Sequence, residues 1–484
     1  MRCFLAITVC CMMMQCVVRT TLAQTLDDAL RHTQHNALLT ARTAALGLAY
    51  HGIADDYSAL YTNPAGLTLL PAAEINAGIQ GFVTQSQAEY FGTRTSFARA
   101  PAFSFGHIGL ALPIRQWSFT LAIGYNRENE FSAIDTLRGF NPSSSIVQSW
   151  VRQQRGPDLR NNPGWQLSLA DTVRGQFLSP LTGNLTQAAF ILQGGSMSNF
   201  SIGGAFDVSQ SEDFTLSVGA TLIGSFGGYT YERTYQEIDE TGRYNRLDPV
   251  NFTNIDFERL SIVEQIRQSI GGVRGVLGVQ ARIGDIFRLG FSAVTPGSYN
   301  VLESFVWNSN AFFEQGNVRS TQYRFNGDTE YSFTTPWVIQ ASAAAHYLGL
   351  TLSAAIEYLD PTQVRFSSPV RSTSTVAAQL NAAAARVLAA QTQWGLGVEY
   401  ENSELPVALR GSITTIASPY AQPEILSAAQ IIGLGAGYYL SSNMRLDAVV
   451  RWFDRTSLTL VDGIASYRGM QSILQFGLQV VYRF

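Results

Sequence analysis

The chain contains no lysine: its 32 basic residues are all arginine, set against 36 Asp and Glu for a formal charge of −4. Charged residues make up only 14% of the whole, against roughly 25% in an ordinary soluble domain. No basic patch points to a nucleic acid. The four cysteines, Cys3, Cys10, Cys11 and Cys16, fall in one short N-terminal stretch. A disulfide framework or thiol chemistry in the remainder is thereby excluded. Beyond that stretch no run of about 18 apolar residues occurs, so no transmembrane helix is available. What is abundant is glycine (42) and aromatic residues (28 Phe, 20 Tyr, 7 Trp), at a mean hydropathy near zero. Low charge with average hydropathy suits a chain that is apolar outside and polar inside, built from strands.

The N-terminus reads as a secretion signal. Arg2 supplies a minimal charged region, Cys3 to Met14 an apolar core, and Thr21 and Ala23 small residues before a cleavage site. A lipoprotein signal at Cys16 fits less well, because Met13, Met14 and Gln15 place no small residue before it. The expected organisation is a signal peptide over 1–23, an N-terminal hatch over 24–72 and a transmembrane β-barrel over 73–484.

From Glu74 the sequence repeats one rhythm: an alternating run, a short turn, a second alternating run, a longer polar loop. Phe214, Leu216, Val218, Ala220 and Leu222 alternate with Thr215, Ser217, Gly219 and Thr221. The chain ends on Phe476, Leu478, Val480, Tyr482 and Phe484, alternating with Gly477, Gln479, Val481 and Arg483. Period two means a strand with two unlike faces. Runs starting near Glu74, Ala100, Trp117, Ala188, Phe214, Gly272, Phe287, Gln322, Leu350, Thr392, Leu405, Ile431, Met444 and Met470 predict an all-β, antiparallel barrel of about fourteen strands. Short turns would face the periplasm and long loops the outside. The last run, with Tyr482 and Phe484 as its closing signal, would pair with the run at Glu74 and turn Gln475, Gln479 and Arg483 inward.

Helical spacing occurs within three loops, 144–154, 257–270 and the Ala-rich 375–390. They either cover the barrel mouth or shape an apolar entry groove. Residues 24–72 break the rhythm. They contain an expected helix over 25–49 and are too short for an independent domain of ordinary kind. The simplest place for them is the lumen, as a plug.

Within that plug, Asp55-Asp56-Tyr57-Ser58 runs on to Asn63-Pro64-Ala65-Gly66-Leu67. Taken alone this is a helix stop and turn, because Pro64 fixes its own φ and Asn63 bonds nearby backbone. In its position it resembles the N-terminal plug of the FadL/TodX family of outer-membrane transporters of hydrophobic compounds. The resemblance continues through Thr335-Pro336-Trp337, Trp394-Gly395-Leu396-Gly397, Leu405-Pro406-Val407, Gly433-Leu434-Gly435-Ala436-Gly437 and Tyr482-Arg483-Phe484. Residues 131–187 depart from it. It implies a fourteen-stranded barrel with a hatch held by Asn63, Pro64, Ala65 and Gly66. It also implies passive movement of long-chain fatty acids or aromatic hydrocarbons, with lateral exit where the third strand kinks. Ala122, Ile123, Gly124 and Tyr125 are the candidate kink; the alternative is that Gly124 faces a crowded lumen. The ligand would be a hydrophobic small molecule. Outer-membrane lipids would surround the barrel and a barrel-assembly machinery would insert it.

No catalytic residue, cofactor or metal site is expected. Gly433-x-Gly435-x-Gly437 sits in a strand-period run and precedes no helix, so it is not a nucleotide fingerprint. His32 and His35 have a possible metal spacing, but no cluster completes a site. Two alternatives to transport stay open: a scaffold of the same shape that docks secretion machinery, and an outer-membrane enzyme acting on lipid.

Overall fold

The computed structural model describes residues 25–33, 39–99, 101–154, 156–244, 256–314, 320–368, 371–401, 405–461 and 465–484. The expected signal peptide, His35 and the turn at 402–404 lie outside them. Fourteen antiparallel strands close into a barrel. They are β1 (Glu74–Tyr90), β2 (Ala102–Ile114), β3 (Phe119–Glu130), β4 (Leu185–Gln210), β5 (Phe214–Ile238), β6 (Phe257–Ile283) and β7 (Phe287–Val294). The second half is β8 (Val338–Tyr347), β9 (Leu350–Leu359), β10 (Gln391–Glu401), β11 (Val407–Ile416), β12 (Ala429–Ser441), β13 (Met444–Val461) and β14 (Ala465–Arg483). The last strand meets the first from Glu74↔Arg483 through Glu89↔Arg468. Every wall strand therefore has two neighbours, and the free edges that would template aggregation are gone.

The two faces are sorted as the alternation predicts. On β14, Leu478, Val480 and Tyr482 point outward, while Gly477, Gln479 and Val481 are buried. The same exposed apolar row continues round the wall through Ile123, Ile202, Leu222, Leu277, Leu289, Leu352, Leu396 and Leu434. An outward apolar belt over a closed ladder suits a lipid surround, because ladders pair wall amides within the protein.

Two wall assignments change. The run near Gln322 is a strand, Ser320–Thr334, but it forms a hairpin with Ser298–Phe313, which the rhythm did not register. This hairpin pairs with the upper part of β6. The eighth wall strand is Val338–Tyr347, joined directly to β7 and β9. The helix expected over 257–270 is the outer half of β6, flanked by β5 on one side and the hairpin on the other. The spacing of Leu260, Ile262, Val263 and Ile266 fits a helix in isolation. A ladder on both edges satisfies all its backbone groups and outweighs that preference.

Strands β4, β5 and β6 run for 26, 25 and 27 residues, whereas a membrane needs only about 9–11. Their outer halves rise above the belt and carry a cap. Helix α4 (Ile146–Gln153) begins at a Ser145 capping box. It buries Ile146, Val147 and Trp150 against Leu167, Leu181, Tyr235 and Trp307. A short helix α5 (Pro163–Gln166) follows, and helix α6 (Arg371–Val387) crosses from the other side. The helices expected in 144–154 and 375–390 are thus present.

Inside the barrel the N-terminal segment is broken rather than one continuous helix. Helix α1 (Leu26–Thr33) lies in the outer half, with Ala29 among residues of the hairpin and β5. Helix α2 (Ala41–Leu46) starts at its own Thr40 capping box and ends where Gly47 takes φ +55. Helix α3 (Tyr50–Ile53) and two 3-10 turns, Tyr57–Tyr61 and Pro64–Leu69, complete the inner half.

Candidate functional site

The inner half of the hatch is seated on a wall of small residues. Leu46, Tyr50, Ile53, Tyr57, Leu60 and Leu67 pack with Ala111, Ala122, Ala205 and Ala344 in one fully buried cluster. Asn63 caps the turn Pro64–Leu69: its side-chain oxygen accepts from the Ala65 amide at 3.3 Å. Its amide nitrogen donates across to the Val279 carbonyl of β6 at 3.1 Å. Pro64 occupies the first turn position, where its missing N–H is not needed. A side chain at Gly278 would overlap Asn63 and Pro64, and one at Gly219 would overlap the Pro64 backbone. Gly66 lies so close to the Ala54 carbonyl that no Cβ fits. The motif is therefore a seat for the plug on β5 and β6.

The Gly-x-Gly run of β12 has the same explanation. Added Cβ atoms at Gly433 and Gly435 would meet Ala44 and Ala45 of α2, so these glycines let a helix lie against the wall.

Charge fixes the hatch in register. Arg42 of α2 is buried and pairs with Asp55 at 2.6 Å, Asp56 at 2.8 Å and Glu399 at 2.7 Å. Glu399 also holds Arg410 at 2.6 Å, Arg410 holds Asp447 at 2.6 Å, and Asp447 holds Arg445 at 2.9 Å. Asp55 reaches the wall a second time through Arg288 at 2.7 Å. Four guanidiniums thus face four carboxylates, and the network is neutral. Burial alone would raise the Asp55 carboxyl, but Arg42 and Arg288 hold it well below the usual carboxylate range. The Tyr50 hydroxyl and Ser58 amide add donors to Asp56 at 2.7 and 2.9 Å. Gln479, expected to look inward, accepts from the Ala41 amide at 2.6 Å and donates to Asp447 at 2.8 Å. Arg483 pairs with Glu74 at 3.0 Å across the closing seam. Arg42 belongs to no recognisable motif. The available signal is a lone Arg in an Ala-rich segment followed by paired acids, and the planar fork of Arg suits such bidentate pairing better than Lys.

Residues 122–125 pair without irregularity to β2 and β4. Gly124 is the point where the hatch touches the wall: a Cβ there would overlap Tyr57 and Tyr61, whose hydroxyls lie 2.8 Å apart. The irregularity lies just beyond. The β2–β3 ladder runs from Ile114↔Phe119 to His107↔Asn126 and stops. Both strands continue. Strand β2 pairs on with β1 as far as Phe82↔Ala102, slipping register beside Gly106. Strand β3 pairs on with β4 as far as Glu130↔Ser196, with a bulge between Arg127 and Asn129. Among the described residues no ladder pair joins 103–106 to 127–130. Above this gap the wall approaches itself again, where the Thr95 hydroxyl donates to the Thr136 carbonyl. The result is an interruption of the β2–β3 ladder, with Tyr57 and Tyr61 packed beside it at Gly124.

Its lips are polar inside and aromatic outside. Arg127 pairs with Glu130 at 2.6 Å, and Glu128 pairs with Arg274 of β6. Phe103 and Phe105 flank it on the outer face, with Phe105 stacked on Tyr125 at 5.8 Å. Above the inner half of this segment Met197, Tyr229, Ile270, Tyr299, Phe333 and Phe366 pack as an apolar cluster with Ala29 of α1. Asn129, beside the interruption, donates to the Arg31 carbonyl of α1 at 3.3 Å.

No family model matches the chain, and no curated protein matches it. Solved structures do. A Pseudomonas aeruginosa FadL homologue aligns with TM-score 0.50 at 13% identity, over 91% of this chain and 98% of its own. A deletion mutant of the TodX monoaromatic hydrocarbon channel gives 0.51 at 12%, over 92% and 98%. The Pseudomonas putida toluene transporter TodX gives 0.50 at 11%, over 89% and 94%. Together with the closed fourteen-strand wall and the hatch in its lumen, these likenesses establish the FadL-type barrel as the fold of this chain.

Proposed function

We propose that the protein is an outer-membrane channel for hydrophobic small molecules, such as fatty acids or aromatic hydrocarbons. Ligand would move passively through the apolar cluster around α1, past the hatch, and leave sideways where the β2–β3 ladder is interrupted. The observation that carries this reading is the interrupted ladder at His107↔Asn126, beside the N-terminal segment and below the apolar cluster that α1 closes. A water-filled pore would not hold an apolar molecule, whereas each CH₂ moved from water into an apolar site gains about 0.8 kcal/mol. Delivery into the bilayer keeps that gain. Relatives of the same fold are described as a toluene transporter and a monoaromatic hydrocarbon channel.

The test places a bulky side chain at the proposed window, where Asn129 also touches α1. Asn129→Trp, expressed in a strain lacking its own uptake channel, should abolish uptake of radiolabelled oleate and of toluene while the barrel still assembles. Unchanged uptake of both would refute lateral exit. Failure of the wild-type protein to take up either, or to carry bound lipid by mass spectrometry, would refute transport itself.

A further inference from the structure

Helix α1 is held in the lumen by a second polar cluster, separate from the Arg42 network. Asp28 of α1 is buried, and its Oδ1 accepts from Arg31 at 2.6 Å and from the Gln268 amide of β6 at 3.0 Å. The same amide nitrogen donates to Glu303 Oε2 at 2.8 Å. Glu303 lies on the outer hairpin strand Ser298–Phe313, above the membrane-spanning wall, and is itself buried. Two carboxylates, one on the hatch helix and one on the hairpin, thus depend on the same amide group, which has one N–H for each.

The partners are not shared equally. Arg31 is engaged by Asp28 and lies 3.8 Å over the Tyr229 ring. The Tyr331 hydroxyl sits 3.5 Å from Glu303 Oε2, at the limit of hydrogen bonding. Glu303 Oε1 is buried with no hydrogen-bond partner among the described residues. The groups facing Glu303 are therefore Asp28 and Arg31 from α1, Gln268 from β6, Tyr331 from the hairpin and Tyr229 from β5. An ionised carboxylate would not be left with one shared amide, an orphan oxygen and a facing anion.

We propose that Glu303 is a proton-controlled latch for α1: protonated it lets the helix pack into the apolar cluster around Ala29, and ionised it drives the helix away through repulsion with Asp28. Docking also ties Asn129 of the proposed window to the Arg31 carbonyl, so release frees the apolar cluster and the window lip together. Burial, then Asp28, pushes the Glu303 carboxyl up to about 8. The sign follows from linkage. In the released state Glu303 returns towards its ordinary 4.5, so the docked state binds the proton more tightly. Docking is then strongest in acid, weakens as pH rises towards 8, and levels off above. The inference concerns helix docking alone and stands whether or not the barrel transports.

Hydrogen exchange on the full protein tests it without any ligand. After correction for intrinsic exchange, amide protection over residues 26–33 should fall about tenfold or more between pH 5.5 and 8.5. Glu303→Gln should abolish that fall. A second readout is maleimide labelling of Ala29→Cys, quantified on the peptide that contains it, with Glu303→Gln as the baseline. Parallel pH profiles in the two proteins would overturn the latch. So would a helix that stays fully protected at both pH values.

Discussion

Replacing Arg42 by Met isolates what the buried charge network does. Met keeps an unbranched apolar stem but is shorter and lacks the guanidinium, so it leaves Asp55, Asp56 and Glu399 facing one another with only Arg288 and Arg410 remaining. Removing one partner from a buried ion pair costs about 3–5 kcal/mol. Applied to the seating of the hatch, that is roughly a hundred- to several-thousand-fold loss in the docked-to-released ratio. The wall should hardly notice, because its ladders are complete without Arg42. The expected result is a barrel that still migrates as a folded species unless heated, but conducts ions in planar bilayers, where wild type is closed. Exchange over residues 39–72 should accelerate while β8 to β14 stay protected. Acid should act in the same direction on the wild type. Asp55 is held below the ordinary carboxylate range in the seated state, so its contribution is present above about pH 4 and is lost as pH falls further. Unchanged conductance with intact protection of the hatch in Arg42→Met would refute the reasoning, because the network would then be ornamental to a hatch held by packing alone.

Three further substitutions separate seat, wall contact and belt. Asn63→Ala removes a turn cap and the bond to Val279, and should cost about 0.5–2 kcal/mol of hatch seating, read as reduced uptake with unchanged assembly. Gly124→Val should press on Tyr57 and Tyr61 and destabilise the seated hatch by about 1–3 kcal/mol; hydrogen exchange should show the loss, and Tyr57→Ala should restore part of it. Leu434→Arg, on the exposed face of β12, should lower barrel stability in urea by up to about 2–4 kcal/mol, whereas Ala436→Ser should not.

The wall was largely legible because period two is a direct consequence of one face meeting lipid and the other the lumen. Phe476, Leu478, Val480 and Tyr482 state it in single residues. What alternation does not say is which strand neighbours which. The run near Gln322 alternates as cleanly as any wall strand, yet it stands above the belt, because a hairpin with one half-buried face obeys the same period. Strand Val338–Tyr347, with Ala341, Ala343, Ala344 and Ala345, offers a weaker contrast and still belongs to the wall. Residues 257–270 show the converse: a helical spacing overruled by ladders on both edges.

The sequence by itself determined a low-charge β-barrel with no cysteine beyond Cys16 and a plug-like N-terminal segment, and it marked Asn63-Pro64 as that segment's turn. Those properties are local, set by composition, alternation and turn chemistry within a few residues. Only the tertiary structure decided why Gly278, Gly219 and Gly124 must be glycine, that Arg42 meets Glu399 more than three hundred positions away, and where the β2–β3 ladder breaks. Each of these depends on surfaces from distant parts of the chain meeting within a few ångströms. The kink expected at Gly124 and the break in the ladder just beyond it differ for that reason: a glycine can report either a bend or a close neighbour, and here the neighbour is Tyr57.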